Sequence, residues 1–154
     1  MPAREVESFD EDLLGLIRRL RLLMREANGV GLAANQVGVL RRVFVFQPDE
    51  EAELAALVNP VIVERSGELE VGNEGCLSMQ GVSVPVERDT TVTVEARDES
   101  GERVRLELTG LPARVAQHEL DHLDAVLILD RTTPDARRGA LATLRPPPLL
   151  DPLR

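Results

Sequence analysis

The pair His118 and His122 constrains this chain more than any other feature, because these are the only two histidines among its 154 residues. On an α-helix, residues four positions apart lie one above the other on the same face. Both imidazoles can therefore bind one metal ion. Glu119, next to the first histidine, can reach a water on that ion without being a ligand itself. The segment predicts a hydrolytic metal site carried by a helix.

A motif this short also occurs by chance, as two solvated histidines on a polar helix face. Four apolar residues argue against that alternative, because they surround the motif and predict that part of the segment is buried: Val115, Ala116, Leu120 and Leu123. Buried imidazoles need polar partners. We therefore favour the metal site over the solvated helix face.

A catalytic zinc-type site takes three protein ligands and leaves one position open. Few residues downstream of the histidines could be the third ligand. The position ten residues after His118, where one protease class has its third histidine, is Ile128, and no glutamate follows Glu119. Asp124 and Asp130 remain candidates, although helical spacing should turn Asp124 away from the metal face.

Cys76 is the better candidate for the third ligand. It is the only cysteine of the chain and it directly follows Gly75, in a glycine-framed segment. A glycine there allows the backbone to come close to another element. A thiol beside a divalent metal is deprotonated, so the expected site has one thiolate, two imidazoles and an open position.

The hydrophobic pattern predicts one α+β domain. A capping box at residues 8–11 opens a helix that residues 28–29 end, and the helix with the histidines begins near Pro112. The first of these helices is expected to bury an apolar stripe formed by Leu13, Leu16, Ile17, Leu20, Leu23, Met24 and Ala27. Strands are predicted at 43–46, at 57–63 with an edge or bulge at Pro60, at 68–71, and in a hairpin of 91–96 with 103–108. A last short helix begins at Pro134. The domain is expected to cover residues 1–145, followed by a loose, proline-rich tail at 146–154.

Composition excludes several classes of function. The net charge is −9, and a chain this acidic is a poor candidate for binding nucleic acid. Tyr and Trp are absent and Phe occurs three times, so a base-stacking surface is not expected. No apolar run is long enough to span a bilayer. The polar first residues predict no secretory signal, and the single cysteine suits a reducing cytoplasm.

Three separated segments resemble one family. Residues 29–36 read GVGLAANQ and are similar to the motif G-x-G-L-A-A-x-Q; residues 74–78 read EGCLS; and residues 117–122 read QHELDH, which fits Q-H-E-x-D-H. These are the motifs of the peptide deformylases, in the family's order and at plausible separations. One such motif is weak, whereas three in order are specific. The resemblance extends over nearly the whole chain, from Pro2 to Asp130.

The resemblance implies a compact fold with small antiparallel sheets around a central helix that carries the metal motif. It implies an enzyme that removes the N-formyl group from the formyl-methionine of new polypeptides and releases formate. Three side chains would bind the metal: Cys76, His118 and His122. Glu119 would be the general base and then the acid. Gln36 and the backbone N–H of Leu77 would stabilise the oxyanion.

The resemblance also suggests where the substrate binds. Val30, Leu111 and Val115, together with the His118 helix, would form an apolar pocket for the substrate methionine, although such residues could equally be ordinary core. The backbone at Gly31 would pair with the substrate peptide as an added strand. Glu74 is expected to form an ion pair with Arg88 that braces the Cys76 segment.

One divalent metal ion is expected as cofactor. A thiolate with two imidazoles suits Fe²⁺ or Zn²⁺, with Ni²⁺ or Co²⁺ as substitutes. The expected partners are formyl-methionyl peptides and nascent chains, with a transient encounter with the ribosome, and neither a membrane nor direct nucleic acid. Fewer residues precede the first helix than is usual in the family, whose members have a proline-containing segment and a first strand there, so either the start is truncated or this member does without that segment.

Two alternatives remain at this point. A peptidase-type zinc hydrolase would use the same short helical motif, but it needs a third ligand that we do not find. A non-catalytic relative of the deformylases would bind a metal or N-terminal peptides without turnover. Glu119 and Gln36, both present, argue against this second alternative.

Overall fold

The structure is a computed structural model that describes residues 1–144. Within these residues, four α-helices and seven β-strands follow one another along the chain. The helices are α1 (Glu11–Glu26), α2 (Leu111–Leu123), α3 (Ile128–Arg131) and α4 (Pro134–Leu144). The strands are β1 (Gly31–Ala33), β2 (Val43–Phe46), β3 (Ala55–Arg65), β4 (Leu69–Cys76), β5 (Met79–Asp89), β6 (Thr91–Arg97) and β7 (Arg103–Thr109). The predicted tail at 146–154 lies outside the described residues.

Helix α1 begins two residues later than the predicted capping box requires. Its N-cap is Asp10, whose side chain accepts a hydrogen bond of 3.1 Å from the N–H of Leu13. The prediction of Ser8 as the N-cap was wrong. Asp10 lies closer to the helix, and its side chain satisfies a free N–H of the first turn. The predicted apolar stripe is confirmed by four buried residues: Leu13, Ile17, Leu20 and Met24.

Five strands form an antiparallel sheet in the order β1-β2-β3-β6-β7. Strand β3 continues through Pro60, and its register against β6 shifts between Val58 and Val61. A proline lacks an N–H and cannot donate to a strand ladder, so the bulge accommodates it inside the sheet. The prediction of an edge or bulge at Pro60 is therefore confirmed: the register with β6 shifts at this residue, and the pairing with β2 has already ended at Val58.

Strands β4 and β5 form a separate antiparallel hairpin. The sequence prediction ended the first of these strands at residue 71 and missed the second altogether. The burial of Val82, Val84 and Val86 alternates with the exposure of their neighbours, which is the period of a strand. Pairing along the whole hairpin, from Leu69 with Asp89 to Cys76 with Met79, overrides the weak local preference of this glycine-containing segment.

Helix α2 packs against the five-stranded sheet and contacts the hairpin. Its buried residues Val115, Ala116, Leu120 and Leu123 belong to one core cluster, together with sheet residues Phe44, Leu57, Val92 and Val94. The α+β fold with small antiparallel sheets around the motif-bearing helix is confirmed. Among the described residues, no helix is both long and apolar enough to cross a membrane.

The residues before α1 are attached to the core. The N–H of Ala3 donates to the carbonyl of Leu123 at 2.8 Å, and Arg4 forms an isolated bridge with Arg41. Val6 is buried and its N–H donates to the side chain of Asn59 at 2.7 Å. In the described part of the chain this segment forms that single bridge and no strand before α1.

Candidate metal centre and active site

The structure brings Cys76 next to both histidines. Cys76 is the last residue of β4, and the histidines lie on successive turns of α2. Cys76 Sγ is 3.3 Å from His122 Nε2, and His122 Nε2 is 3.0 Å from His118 Nε2. All three ligand atoms lie within 4.8 Å of one another. One thiolate and two imidazoles converging in this way can bind one divalent cation.

The two aspartates that the sequence left open lie elsewhere. Asp124 Oδ1 accepts from Arg42 at 2.8 Å, and Asp130 Oδ1 accepts from Arg137 at 3.3 Å. Neither belongs to the cluster of possible metal ligands found among the described residues. Cys76 is thus the residue that joins the histidines.

A buried carboxylate orients His118. Glu74 is 6% exposed, and its Oε1 lies 2.9 Å from His118 Nδ1. A hydrogen bond at Nδ1 leaves Nε2 as the nitrogen that can bind a metal, and such bonds fix the ring orientation. The predicted ion pair is confirmed, because Arg88 donates to both carboxylate oxygens of Glu74, at 2.9 and 3.0 Å.

This carboxylate belongs to a longer charged network. Arg88 also donates to Asp121, which in turn accepts from Arg131 at 2.9 Å. Arg114 donates to Glu74 Oε2 at 2.6 Å. Burial raises the pKa of Glu74, but the hydrogen bonds from His118 and Arg88 outweigh it and bring that pKa to about 2. Glu74 therefore remains a carboxylate at neutral pH.

The Cys76 sulfur is prepared to be a thiolate. Burial raises the pKa of Cys76, but hydrogen bonds with His118 and His122 and from the backbone of Ser78 bring it to about 5. Burial lowers the pKa of His118, whereas its hydrogen bonds with Cys76 and Glu74 raise it to about 10. A cation bound here would meet a deprotonated sulfur and would take the place of a proton on His118.

Glu119 lies beside the cluster with one oxygen unpaired. The residue is 3% exposed, and its buried Oε2 has no hydrogen-bond partner among residues 1–144. A buried carboxylate oxygen without a partner is costly, so this atom points to a polar group that belongs in the site. Burial raises the pKa of Glu119 to about 7, although the charges of His118 and His122 oppose that rise. This value suits a general base at neutral pH.

Gly31 allows Glu119 to pack against β1. A Cβ atom added at Gly31 would lie 2.7 Å from Glu119 Oε1 and 3.0 Å from Val115 Cγ1. Any larger residue would push the carboxylate away. The backbone of β1 therefore fixes one side of Glu119.

Gln36 points its amide nitrogen at the Cys76 turn. Its Oε1 accepts from the N–H of Ala33 at 2.9 Å, which orients the amide. Its Nε2 then lies 3.4 Å from Cys76 Sγ and 3.2 Å from Ser78 Oγ. Leu77 follows Cys76 in the turn between β4 and β5. An amide N–H donor thus lies beside the metal ligands.

One cavity of about 400 Å³ collects most of the predicted site residues. It is lined by all four predicted substrate residues (Val30, Gly31, Leu111 and Val115) and by Gln36, Cys76, Leu77, His118 and Glu119. His122, which is 5% exposed, is not among the residues that line this cavity. The structure therefore places an apolar pocket next to the three candidate metal ligands.

Several residues of the site were not predicted from the sequence. Met79, Gln80 and Val82 line the cavity from β5, a strand that was not predicted. Arg114 lines it from α2, and its position four residues before His118 was a signal that could have found it. Asp121 is a position of the motif at residues 117–122, but nothing in the sequence marked its bond to Arg88, which lies on a distant strand.

Comparisons with known proteins agree with this geometry. A family model described as Polypeptide deformylase matches residues 1–138. Peptide deformylase 1 of Corynebacterium glutamicum is 46% identical over 145 residues, which cover 93% of this chain and 86% of the relative. Two crystal structures superimpose well. A peptide deformylase from Synechococcus elongatus in complex with actinonin has TM-score 0.88, 41% identity and coverage of 93% and 80% of the two chains. The Thermotoga maritima peptide deformylase has TM-score 0.82, 45% identity and coverage of 86% and 88%.

Proposed function

The chain belongs to the polypeptide deformylase family, and from this premise we propose how its own residues perform the reaction. The protein is a metal-dependent amide hydrolase that removes the N-formyl group from the N-terminal formyl-methionine of new polypeptides and releases formate. The observation that carries the assignment of residues is the convergence of Cys76, His118 and His122 beside the unpaired oxygen of Glu119.

Cys76, His118 and His122 would hold one divalent metal ion. The donor set fits, since the sulfur favours the thiolate and Glu74 orients one imidazole. When bound, the ion supplies Lewis-acid chemistry that lowers the pKa of water from 15.7 toward about 7. We assign Fe²⁺ or Zn²⁺ as the ion, with Ni²⁺ or Co²⁺ as substitutes, because these metals accept one thiolate with two imidazoles.

Glu119 is the proposed general base. Its Oε2 is buried and unpaired, and so is free to accept a proton from the attacking water. Its pKa of about 7 allows it to hold that proton and then deliver it to the departing amine. One carboxyl group thus serves as base and then as acid. The missing side chain at Gly31 leaves the space that Glu119 occupies beside β1.

Two N–H donors would stabilise the oxyanion that forms on the formyl oxygen. The first is Gln36 Nε2, oriented by the bond of its Oε1 to Ala33. The second is the backbone N–H of Leu77, in the turn after Cys76. Donors of this kind act at about 3 Å from the developing charge, and the loss of one typically lowers the rate by about 10²–10³-fold.

The substrate peptide would bind along β1. This strand pairs with β2 on one side and is the last strand of the sheet on the other. An extended peptide can add to such an edge through backbone hydrogen bonds. Val30, Leu111 and Val115 would then surround the methionine side chain, whose apolar surface matches theirs.

The test is formate release from a formyl-Met-Ala peptide. Glu119→Ala should retain the bound metal and lose turnover, because the ligands stay and the base is gone. Glu107→Gln, on the exposed side of β7, is the matched control and should behave as wild type. Full turnover by Glu119→Ala would refute the assigned base.

A non-catalytic peptide-binding relative would bind formyl-methionyl peptides without releasing formate, and the same assay excludes or establishes it. No observation favours it over the enzyme. We further propose that the enzyme meets its substrates as nascent chains in the cytoplasm, in transient contact with the ribosome. The single cysteine and the formylated substrate support this location.

A further inference from the structure

The proposed metal ligands come from two separate elements. Cys76 ends β4 of the hairpin, whereas His118 and His122 lie on α2. The distance between the sulfur and the imidazoles therefore depends on how firmly the hairpin is attached to the helix. Preorganised ligands hold a metal better than ligands on loosely joined elements.

Arg114 joins the two elements across this gap. Its Nη2 donates to the carbonyl of Glu70 on β4 at 2.8 Å, and its Nη1 donates to the carbonyl of Val86 on β5 at 3.0 Å. The same Nη1 lies 2.6 Å from Glu74 Oε2. One guanidinium thus binds both strands of the hairpin and the carboxylate that orients His118. The planar fork of arginine suits this multiple recognition.

Strand β4 leaves room for this side chain at Gly72. A Cβ atom added there would lie 3.0 Å from Arg114 Cζ and 3.2 Å from its Nε. A glycine inside a strand weakens the strand and often marks a close approach by another group. Here the group that approaches is the guanidinium, so the hairpin is shaped around Arg114.

Other bonds between α2 and the hairpin would remain without Arg114. Gln117 Nε2 donates to the carbonyl of Asp89 at 2.9 Å, and Gln117 Oε1 accepts from the N–H of Asp89 at 3.2 Å. Arg88 on β5 still donates to Asp121 on α2. Loss of Arg114 should therefore loosen the hairpin without detaching it, and the effect should appear in the metal site before it appears in the fold.

We propose that Arg114 is a positioning residue for the metal centre, which holds the β4–β5 hairpin at the distance from α2 that keeps Cys76 beside the two histidines. This inference rests on the proposed function. Arg114 would control how long the metal stays bound, and it would not contact the reacting atoms.

The test measures how fast a chromogenic chelator removes Zn²⁺ from the loaded protein. Arg114→Leu removes every donor, and zinc loss should become about tenfold faster, in line with the cost of losing a group that supports a metal ligand. Arg114→Lys keeps a charge and should restore part of the slow rate. Gly72→Ala displaces the guanidinium from the other side and should accelerate zinc loss by a smaller factor.

Arg65→Gln is the matched control, because it removes an arginine on β3 that binds the hairpin through Asp89, at 3.2 Å, and not through Glu74. It should release zinc as slowly as wild type. Absorption of the Co²⁺-loaded proteins gives a second readout, since the thiolate-to-cobalt band should change in Arg114→Leu and stay unchanged in the control.

Each result decides a different claim. Zinc loss from Arg114→Leu at the wild-type rate would overturn the inference, and so would an equal acceleration in Arg65→Gln. If Arg114→Leu does not fold, wild-type rates in both Arg114→Lys and Gly72→Ala would overturn it instead. Failure of the wild-type protein to hold one zinc per chain would contradict the proposed metal site itself.

Discussion

Replacing Glu74 by glutamine should cost the metal-free protein a large part of its stability. The side chain keeps its size but loses its charge, so Arg88, 5% exposed, loses an ionised partner that it contacts with two hydrogen bonds. Removal of one partner from a buried ion pair costs about 3–5 kcal/mol, because the other charge stays buried. Arg88 retains Asp121 at 2.5 Å, so we expect the lower end, about 3 kcal/mol.

The assay is urea and thermal unfolding of wild type and Glu74→Gln, both stripped of metal with a chelator. For a chain of this length, about 3 kcal/mol should lower Tm by about 6–12 °C. The urea dependence of the free energy of unfolding should not change, since the fold is the same. Glu64→Gln, which breaks an exposed pair with Arg105, is the control and should cost no more than about 0.5 kcal/mol.

The difference in the free energy of unfolding between wild type and Glu74→Gln should also depend on pH. Glu74 has a folded-state pKa of about 2, below the ordinary value of 4.5. A carboxylate whose pKa is lowered by folding stabilises the folded protein at pH values above its unfolded-state pKa. This contribution disappears as the pH falls toward its folded-state pKa. The difference in the free energy of unfolding should therefore have its largest value at neutral pH and decrease between pH 4.5 and about 2. A gap below about 1 kcal/mol at pH 7 would refute the reasoning.

Two further substitutions test the groups around the reacting atoms. Gly31→Ala places a Cβ atom 2.7 Å from Glu119 Oε1, too close for both to stay in place, and displacement of the base should lower kcat by about 10²-fold without loss of metal. The measurement is steady-state formate release, and an unchanged kcat would contradict this close approach. Gln36→Leu removes one proposed oxyanion donor and should lower kcat by about 10²–10³-fold, with a smaller change in KM. An effect on KM alone would assign Gln36 to substrate binding.

The helices were predictable because their signals are local. The apolar stripe of α1 and the spacing of His118 and His122 follow from helical geometry alone. The choice of Cys76 as third ligand followed from its being the only cysteine, and the structure places it beside the histidines. Rare residue types with a strict spacing therefore gave most of the candidate site.

The hairpin and the charged network were harder to predict. Strand β5 contains Pro85 and its partner strand contains Gly72 and Gly75, so local preference argued against strands that long-range pairing stabilises. The bonds of Arg88 to Asp121 and of Arg114 to Glu74 join residues 33 and 40 positions apart. No periodicity marks such pairs, because each depends on how two elements pack.

The central claim is that Cys76, His118 and His122 bind one catalytic metal ion. Metal analysis of anaerobically purified wild type and Cys76→Ser, on samples also assayed for formate release, tests it most directly. The account predicts one divalent ion per wild-type chain, and loss of both the ion and the activity in Cys76→Ser. An active Cys76→Ser protein with a full equivalent of metal would contradict it.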